Sequence, residues 1–362
     1  MAAALTRTKP AAMMDDILFD RRGTAGIVTL NRPKALNAVT HDMVRALRAQ
    51  LDRWADDAAV TRVVITAAGE RAFSAGGDIR ALTDLGKAGR YDEALQFWRD
   101  EYPLNAAIKN YRKPYVALID GIAMGGGVGV SVHGSHRVAG DCFSFAMPEV
   151  GIGFFPDVGA TWFLPRMPGE LGTYCALAGE RFGIADAIGG GIATHRVSSA
   201  RFDSLLDGLI GMVSVDAVIA AFSESVGEGP IMQRKAAIDR LFVGDRVEGI
   251  IDALDREASL GGADSEWAKT TAATMRTKSP LSLKLALAQV RRGKDWDFKT
   301  CMCAEFRIVS RIIHGHDFYE GVRAVIVDKD NKPRWQPATL AEVNEGEVER
   351  YFAPLGGAEL VL

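Results

Sequence analysis

"PYVALIDGIAMGGGVGVSVHGSHRVAG", residues 114–140, strings three kinds of segment together. PYVALIDG is a short apolar run, the pattern of a strand buried on both faces. MGGGVGVSVHG follows as a glycine turn leading into a short helical stretch, and HRVAG reads as a further short strand. Strand, glycine turn, helix, strand is the order of an α/β fold with glycine turns at its strand-to-helix junctions.

The same order recurs upstream. RVVIT (62–66) is a buried strand. AFSAGGDIRAL (72–82) runs from a strand end through a glycine turn to a helix start, with Asp78 near the cap. Nearer the start, ILFD and GIVTL flank the turn-forming RRGTAG between Ile17 and Leu30, which predicts a hairpin. Thr40 is placed to cap a helix in which Met43, Val44, Leu47, Leu51 and Trp54 share one stripe. Helical spacing returns over 91–108, and from about Leu171 the chain reads as mostly helical. There Val247, Ile250, Ile251 and Leu254 form a stripe, 266–276 and 281–292 keep helical spacing, and 293–315 suggests one more long helix. AVIV (324–327) stands apart as a strand-like run. No Ser/Pro-rich linker marks a domain boundary.

Composition narrows the function classes. The chain has 362 residues, 48% hydrophobic and 25% charged, enough for a substantial core. Its 43 basic and 46 acidic residues leave a net charge of −3. No overall basic field draws in nucleic acid or membrane, so an anionic ligand needs a local group of Lys and Arg. No apolar run is long enough for a transmembrane helix. Cys142, Cys175, Cys301 and Cys303 form no CxxC and read as reduced thiols. Residues 1–15 lack the apolar centre of a secretory signal and read as a disordered tail.

Two glycine turns, AGGD (75–78) and MGGG (124–127), end strands in the same way. Backbone N–H groups at such junctions are unpaired, and two of them converging on one oxygen make an oxyanion hole. Neither turn is a phosphate loop, since GxxxxGK[ST] and GxGxxG in a βαβ setting are both missing. Further on, MPEVGIGFFPDVGA (147–160) carries Glu149 and Asp157 in an otherwise apolar stretch. Buried carboxylates are costly unless paired or hydrogen-bonded, so two of them need a reason. Read one at a time, Glu149 also suits a helix N-terminus, Asp157 a turn after Pro156, and the glycines tight turns.

AFSAGGDIRAL, GIAMGGGVGVSVHGSHRVAG and MPEVGIGFFPDVGA together resemble the crotonase (enoyl-CoA hydratase/isomerase) superfamily over roughly residues 17–240. DEYPLNAAI, MGGGVG, PDVG and the tail HDFYEGVRAVIVDKDNKPRWQPATL look like its 3-hydroxyisobutyryl-CoA hydrolase branch. The resemblance implies a spiral of ββα turns over 16–240, with a helical C-terminal region, 241–362, packed on that core. It implies an acyl-CoA thioester as substrate, with coenzyme A entering as part of it and no separate cofactor or metal. Gly77 and Gly126 would supply the oxyanion hole. Ala75 would meet the adenine, and Arg32 and Lys34 of NRPKALNA the phosphates, although alone these two read as solvated surface charge. Glu101 of DEY is marked as a substrate contact together with Gly126, Glu149 and Asp157.

Hydratases of the superfamily place a second glutamate three residues after the middle glycine of the GGG turn. Here that position is Gly129. Hydration therefore lacks one of its two acids. The implied reaction is hydrolysis of 3-hydroxyisobutyryl-CoA, or a close short 3-hydroxyacyl-CoA, in valine breakdown. Glu149 would serve as base for water or as nucleophile, and Asp157 would bind the 3-hydroxyl or move a proton. Two alternatives stay open: an enoyl-CoA hydratase or isomerase on another acyl chain, and a non-catalytic acyl-CoA-binding protein. A homo-oligomer fits the family, and the cytoplasm (the mitochondrial matrix in a eukaryote) is the expected compartment. His314 and His316 flank a glycine without further metal-spaced ligands. His133 and His136 read as structural, His195 as packing near the CoA region, and Cys301 and Cys303 as helix interior.

Overall fold

The computed structural model describes residues 16–362, so the tail expected over 1–15 lies outside the described residues. β1 (Ile17–Arg22) and β2 (Ala25–Leu30) form the hairpin, paired antiparallel from Ile17–Leu30 to Arg22–Ala25. Its turn is shorter than RRGTAG suggested. A two-residue connection at Gly23 and Thr24 lets the ladder continue to its last possible pair. In α1 (His41–Asp56), the Thr40 side chain accepts from Met43 N–H at 3.2 Å, and all five stripe residues are buried. Burying such a side chain contributes about 1.5–3 kcal/mol.

The chain then winds. β3 (Arg62–Ala67), β5 (Tyr115–Ile119), β7 (His136–Ala139) and β9 (His195–Arg196) extend the hairpin into a six-stranded sheet in the order β1-β2-β3-β5-β7-β9. From β2 onward its pairs are parallel. Between them, β4 (Ala72–Ser74), β6 (Ile122–Ala123) and β8 (Ser144–Phe145) form a second, three-stranded parallel sheet. Each turn of the spiral thus gives one strand to the large sheet, one to the small sheet, and then helical structure: α2 (Ile79–Lys87) and α3 (Tyr91–Lys109) after β4, and the single turn α4 (Gly126–Gly129) after β6.

The small sheet positions the site. Because its strands are parallel, their C-terminal ends lie side by side. β4 runs out into residues 75–77, β6 into 124–126, and β8 through 146–148 to Glu149. Three segments far apart in sequence are therefore delivered to one place.

Helices Val247–Ser259, Ser265–Arg276, Pro280–Gly293 and Phe298–Ile312 follow the expected periodicities. One apolar core runs from Ile17 to Leu360 and joins the spiral to these helices. A second cluster covers the other face of the large sheet, with Ile27, Val64, Val116, Leu118 and Val138 packed beside Leu205, Leu209 and Ile219. The central strands are apolar on both sides because both sides are covered. AVIV is the misread element. Helix His316–Val322 continues into a π-helical turn, Arg323–Val327. Arg323 gathers that turn by reaching Glu320 at 2.9 Å and Asp328 and Asp330 at 2.7 Å each. Among the described residues no helix is long and apolar enough to cross a membrane.

Candidate active site

Two glycines with left-handed backbones open the site: Gly76 (φ 120°) and Gly125 (φ 45°), conformations that a side chain would strain. The two turns touch, for a Cβ built on Gly125 would stand 3.3 Å from Gly76 Cα. The Gly76 carbonyl accepts from Val39 N–H at 2.8 Å. Across the same trans peptide, the Gly77 N–H must point the opposite way. Likewise the Gly125 carbonyl accepts from Val128 N–H at 2.8 Å within α4, so the Gly126 N–H projects out of that turn. Among the described residues neither N–H donates to a backbone carbonyl. A Cβ on Gly126 would lie 3.2 Å from Gly77 N, so both donors border one small space. That is the geometry an oxyanion needs.

α3 supplies the floor. Trp98, Glu101, Tyr102 and Asn105 recur at i, i+3, i+4 and i+7, which puts them on one helix face, and all four are buried. Glu101 Oε1 sits 2.8 Å from where a Gly126 Cβ would stand, beside the two N–H groups. Tyr102 donates its hydroxyl to Asp157 Oδ2 at 3.0 Å. Glu149 opens the 3-10 turn Glu149–Ile152 just beyond β8. The resulting cleft has a volume of about 540 Å3 and collects Gly77, Glu101, Gly126, Glu149 and Asp157, with Ala75 on its rim. This is a size suited to a small-molecule site.

The carboxylates are set by burial first. Glu149 is 6% exposed, Asp157 5% and Glu101 1%. Desolvation pushes Asp157 up to about 7, held back by hydrogen bonds from Tyr102 and Trp98. Desolvation, then the nearby Asp157 charge, raises Glu149 well above the usual carboxylate range. Glu101 is raised for the same two reasons, with Glu305 adding to them. Burial thus works against ionising either acid, and the repulsion between the two carboxylates makes them titrate as a pair. Two of these acids also keep an unused acceptor: Glu101 Oε1 and Glu149 Oε2 are buried without a hydrogen-bond partner.

The position of the missing hydratase glutamate can now be tested sterically. A Cβ on Gly129 would stand 2.7 Å from Asn105 Nδ2 and 3.0 Å from Val158 Cβ. Not even alanine fits there without displacement. Trp98, Tyr102 and Asn105 escaped the sequence reading, although a polar and aromatic stripe at helical spacing around Glu101 was the available signal.

Other residues fall outside the cleft. Arg32 lies 3.3 Å from both Asp16 and Asp78 and donates to Ala38 O at 2.7 Å, so its charge is already compensated. Lys34 is exposed on the 3-10 turn Pro33–Ala35. Neither lines the cleft; Arg80 and Lys278 do. Lys278 is partly buried, and desolvation lowers its pKa. His195 stacks on His136 at the edge of the large sheet, outside the cleft lining. His136 reaches Asp216, His316 reaches the Arg334 carbonyl, and His314 packs on Tyr91. Cys301 and Cys303 lie within helix Phe298–Ile312. Among the described residues no group of three or more His, Cys, Asp or Glu is placed to hold a metal ion. A larger cavity, about 610 Å3, opens beside Lys284, Arg292 and Glu349. Its charges pair with one another, Lys284 with Glu248 at 2.8 Å and Arg292 with Glu349, and neither glycine turn reaches it.

Comparison with known proteins agrees with this geometry. Residues 25–352 match the family model described as enoyl-CoA hydratase/isomerase. A mitochondrial 3-hydroxyisobutyryl-CoA hydrolase of Danio rerio is 45% identical over 357 residues, covering 96% of this chain and 92% of the relative. The Homo sapiens protein of the same name is 40% identical over 366 residues, covering 98% and 93%. Among solved structures, a carnitinyl-CoA dehydratase from Mycobacterium thermoresistibile is 43% identical with a TM-score of 0.90, covering 96% of this chain and 98% of the other. An enoyl-CoA hydratase from Rhodobacter sphaeroides is 38% identical with a TM-score of 0.89, covering 96% and 100%. The chain belongs to the enoyl-CoA hydratase/isomerase family, the crotonases.

Proposed function

We propose that the protein hydrolyses the thioester of 3-hydroxyisobutyryl-CoA, or a close short 3-hydroxyacyl-CoA, to the free acid and coenzyme A. One observation carries the reading. Two buried acids, Glu149 and Asp157, line the cleft that holds the paired N–H groups, while at Gly129, the place of the second hydratase glutamate, a side chain would press on Asn105 and Val158. The relatives that bear the hydrolase name span nearly the same length as this chain and support it.

The thioester carbonyl oxygen sits between Gly77 and Gly126 N–H, where negative charge develops on attack. Burial raises both acids, so the pair can keep a proton near neutral pH. The reactive form has Glu149 ionised beside the carbonyl and Asp157 protonated near the substrate 3-hydroxyl. Glu149 takes a proton from water as the oxygen adds to the carbonyl carbon. The tetrahedral species collapses, the C–S bond breaks, and the CoA thiolate takes the proton from Asp157. Glu149 is left protonated and Asp157 ionised, and proton exchange with solvent restores the reactive form. Direct attack by Glu149 to form an anhydride is the variant route. Glu149 accepts the proton that water gives up and Asp157 supplies the one that the CoA thiolate takes, so the reading calls for no metal or cofactor apart from the CoA moiety. Arg80 and Lys278 are the cations available for the anionic CoA end. A water-filled compartment is expected, the cytoplasm or, as the relatives' names have it for those proteins, the mitochondrion.

The dehydratase and hydratase names of the two solved relatives favour a second reading, in which water adds to or leaves an enoyl chain. The crowding at Gly129 by Asn105 and Val158 weighs against it. Thiol release separates the two: hydrolysis frees CoA thiol from 3-hydroxyisobutyryl-CoA, whereas hydration leaves the thioester whole.

A further inference from the structure

Asp157 stands in a loop that should not hold its shape unaided. The next residue, Val158, has φ 52°. For a β-branched residue that is a genuine outlier, worth on the order of 1–3 kcal/mol of strain, and it persists only where surroundings over-determine it. Those surroundings are countable. Gln289, on helix Pro280–Gly293, donates Nε2–H to Pro156 O at 2.5 Å and to Thr161 Oγ1 at 3.3 Å. His133 is held neutral, its pKa lowered to about 4 by burial, and it donates to Val158 O at 2.7 Å. Glu305, on helix Phe298–Ile312, spans the far side: Oε2 accepts from Gly159 N–H at 2.8 Å and Oε1 from Thr161 N–H at 2.9 Å.

Glu305 is 0% exposed, and so is Gln289. The two amides are N-terminal donors of the short helix Ala160–Phe163, which no carbonyl of that helix can satisfy, and Glu305 accepts from both. Burial, then the nearby Asp157 charge, raises its pKa to about 8, so the group is a costly one to keep here. Its hydrogen bonds fall on two residues that follow Asp157 within four positions.

We propose that Glu305 is a positioning residue for the hydrolysis: with Gln289 it clamps the strained 156–161 loop from both sides and so aims the Asp157 carboxylate at the substrate. The inference rests on the thioesterase reading of the site. Glu305 does not touch the substrate; it acts through Asp157. Aim of this kind matters because a misplacement of about 1 Å costs up to about 10²-fold in rate.

The experiment compares wild type, Glu305→Gln, Asp157→Asn and the double variant. The glutamine keeps the shape but turns one acceptor into a donor facing an N–H. Glu305→Gln should lower kcat for thiol release by about 10–100-fold with KM within about threefold, in line with other supporting-shell losses. In the Asp157→Asn background the same change should cost nothing further, because its route of action is already gone. Hydrogen exchange at the Gly159 and Thr161 amides should speed up in Glu305→Gln, a readout that needs no turnover. An unchanged kcat in folded Glu305→Gln, a full additive loss in the double variant, or unchanged amide exchange overturns the proposal. Should Glu305→Gln fail to fold, Gln289→Met, which removes the opposite arm of the clamp, decides it by the same three readouts. A wild type that releases no thiol would defeat the functional reading instead, with the exchange data still deciding the clamp.

Discussion

The two halves of the site solve the same placement problem in opposite ways. The oxyanion turns use backbone groups and glycine, so the chain can bend to φ 120° at Gly76 and 45° at Gly125 without a Cβ to resist. The 156–161 loop must present a side chain, and it bends at a valine, φ 52°, held by Gln289, His133 and Glu305. Where glycine relaxes the backbone, the turn is local and its sequence displays it. Where strain is imposed from outside, two of the three causes, Gln289 and Glu305, sit more than a hundred residues away, on the C-terminal helices. The acid is held by side chains from distant helices, the Gly77 N–H by backbone bonds to the segment around Val39.

The comparison can be broken in two places, and a third variant tests the cleft beside them. The largest effect belongs to the turns. Gly126→Ala puts a methyl 2.8 Å from Glu101 Oε1 and 3.2 Å from Gly77 N, inside the space proposed for the oxyanion. Initial rates of thiol release should fall about 10²–10³-fold, the usual cost of losing one such donor. A variant within threefold of wild type would remove the oxyanion hole from the account.

Lys278 belongs to neither region and should behave accordingly. As a cleft cation for the anionic CoA end, Lys278→Ala should raise KM about tenfold and leave kcat near wild type, since one charge-assisted hydrogen bond is worth about 1.5 kcal/mol. A fall in kcat with KM unchanged would place it in the chemistry instead.

The smallest effect is on stability. Asp157 has a folded-state pKa of about 7, against about 3.9 for an exposed aspartate. The folded state thus keeps this proton over a range where the unfolded state has lost it. Stability from this group is full below about pH 4, declines as pH rises, and is gone above about pH 7. Asparagine does not titrate. The Tm of Asp157→Asn should therefore gain on wild type between pH 5 and pH 8, by a few degrees. A gap that stays flat or shrinks would mean that the loop does not hold a costly acid.

Much of this was legible in the sequence because its causes are local. A strand buried on both faces is an apolar run, a cap is a threonine, and a bend that needs φ above zero is a glycine. The turns, the Thr40 cap and the strands of the large sheet other than β9 follow from such rules. The convergence of Gly77, Gly126 and Glu149 did not, because parallel pairing in the small sheet rests on strands of two or three residues with no pattern of their own. Resemblance to relatives supplied that link. AVIV failed for a related reason. Its β-branched residues suggest a strand, and Arg323 with its three carboxylates overrides them. Arg32 and Lys34 carried no signal of what would neutralise or expose them, and Asp78 lies 46 residues from Arg32. Glu305 and Gln289 were silent because a lone polar residue in a helix announces nothing until its partner is known.

The most direct test is thiol release from 3-hydroxyisobutyryl-CoA by wild type and by Glu149→Gln. The account predicts steady turnover by the wild type and loss of at least about 10³-fold in kcat when Glu149 can no longer accept a proton, with the thioester still bound. No thiol from the wild type, or undiminished release by Glu149→Gln, would contradict it.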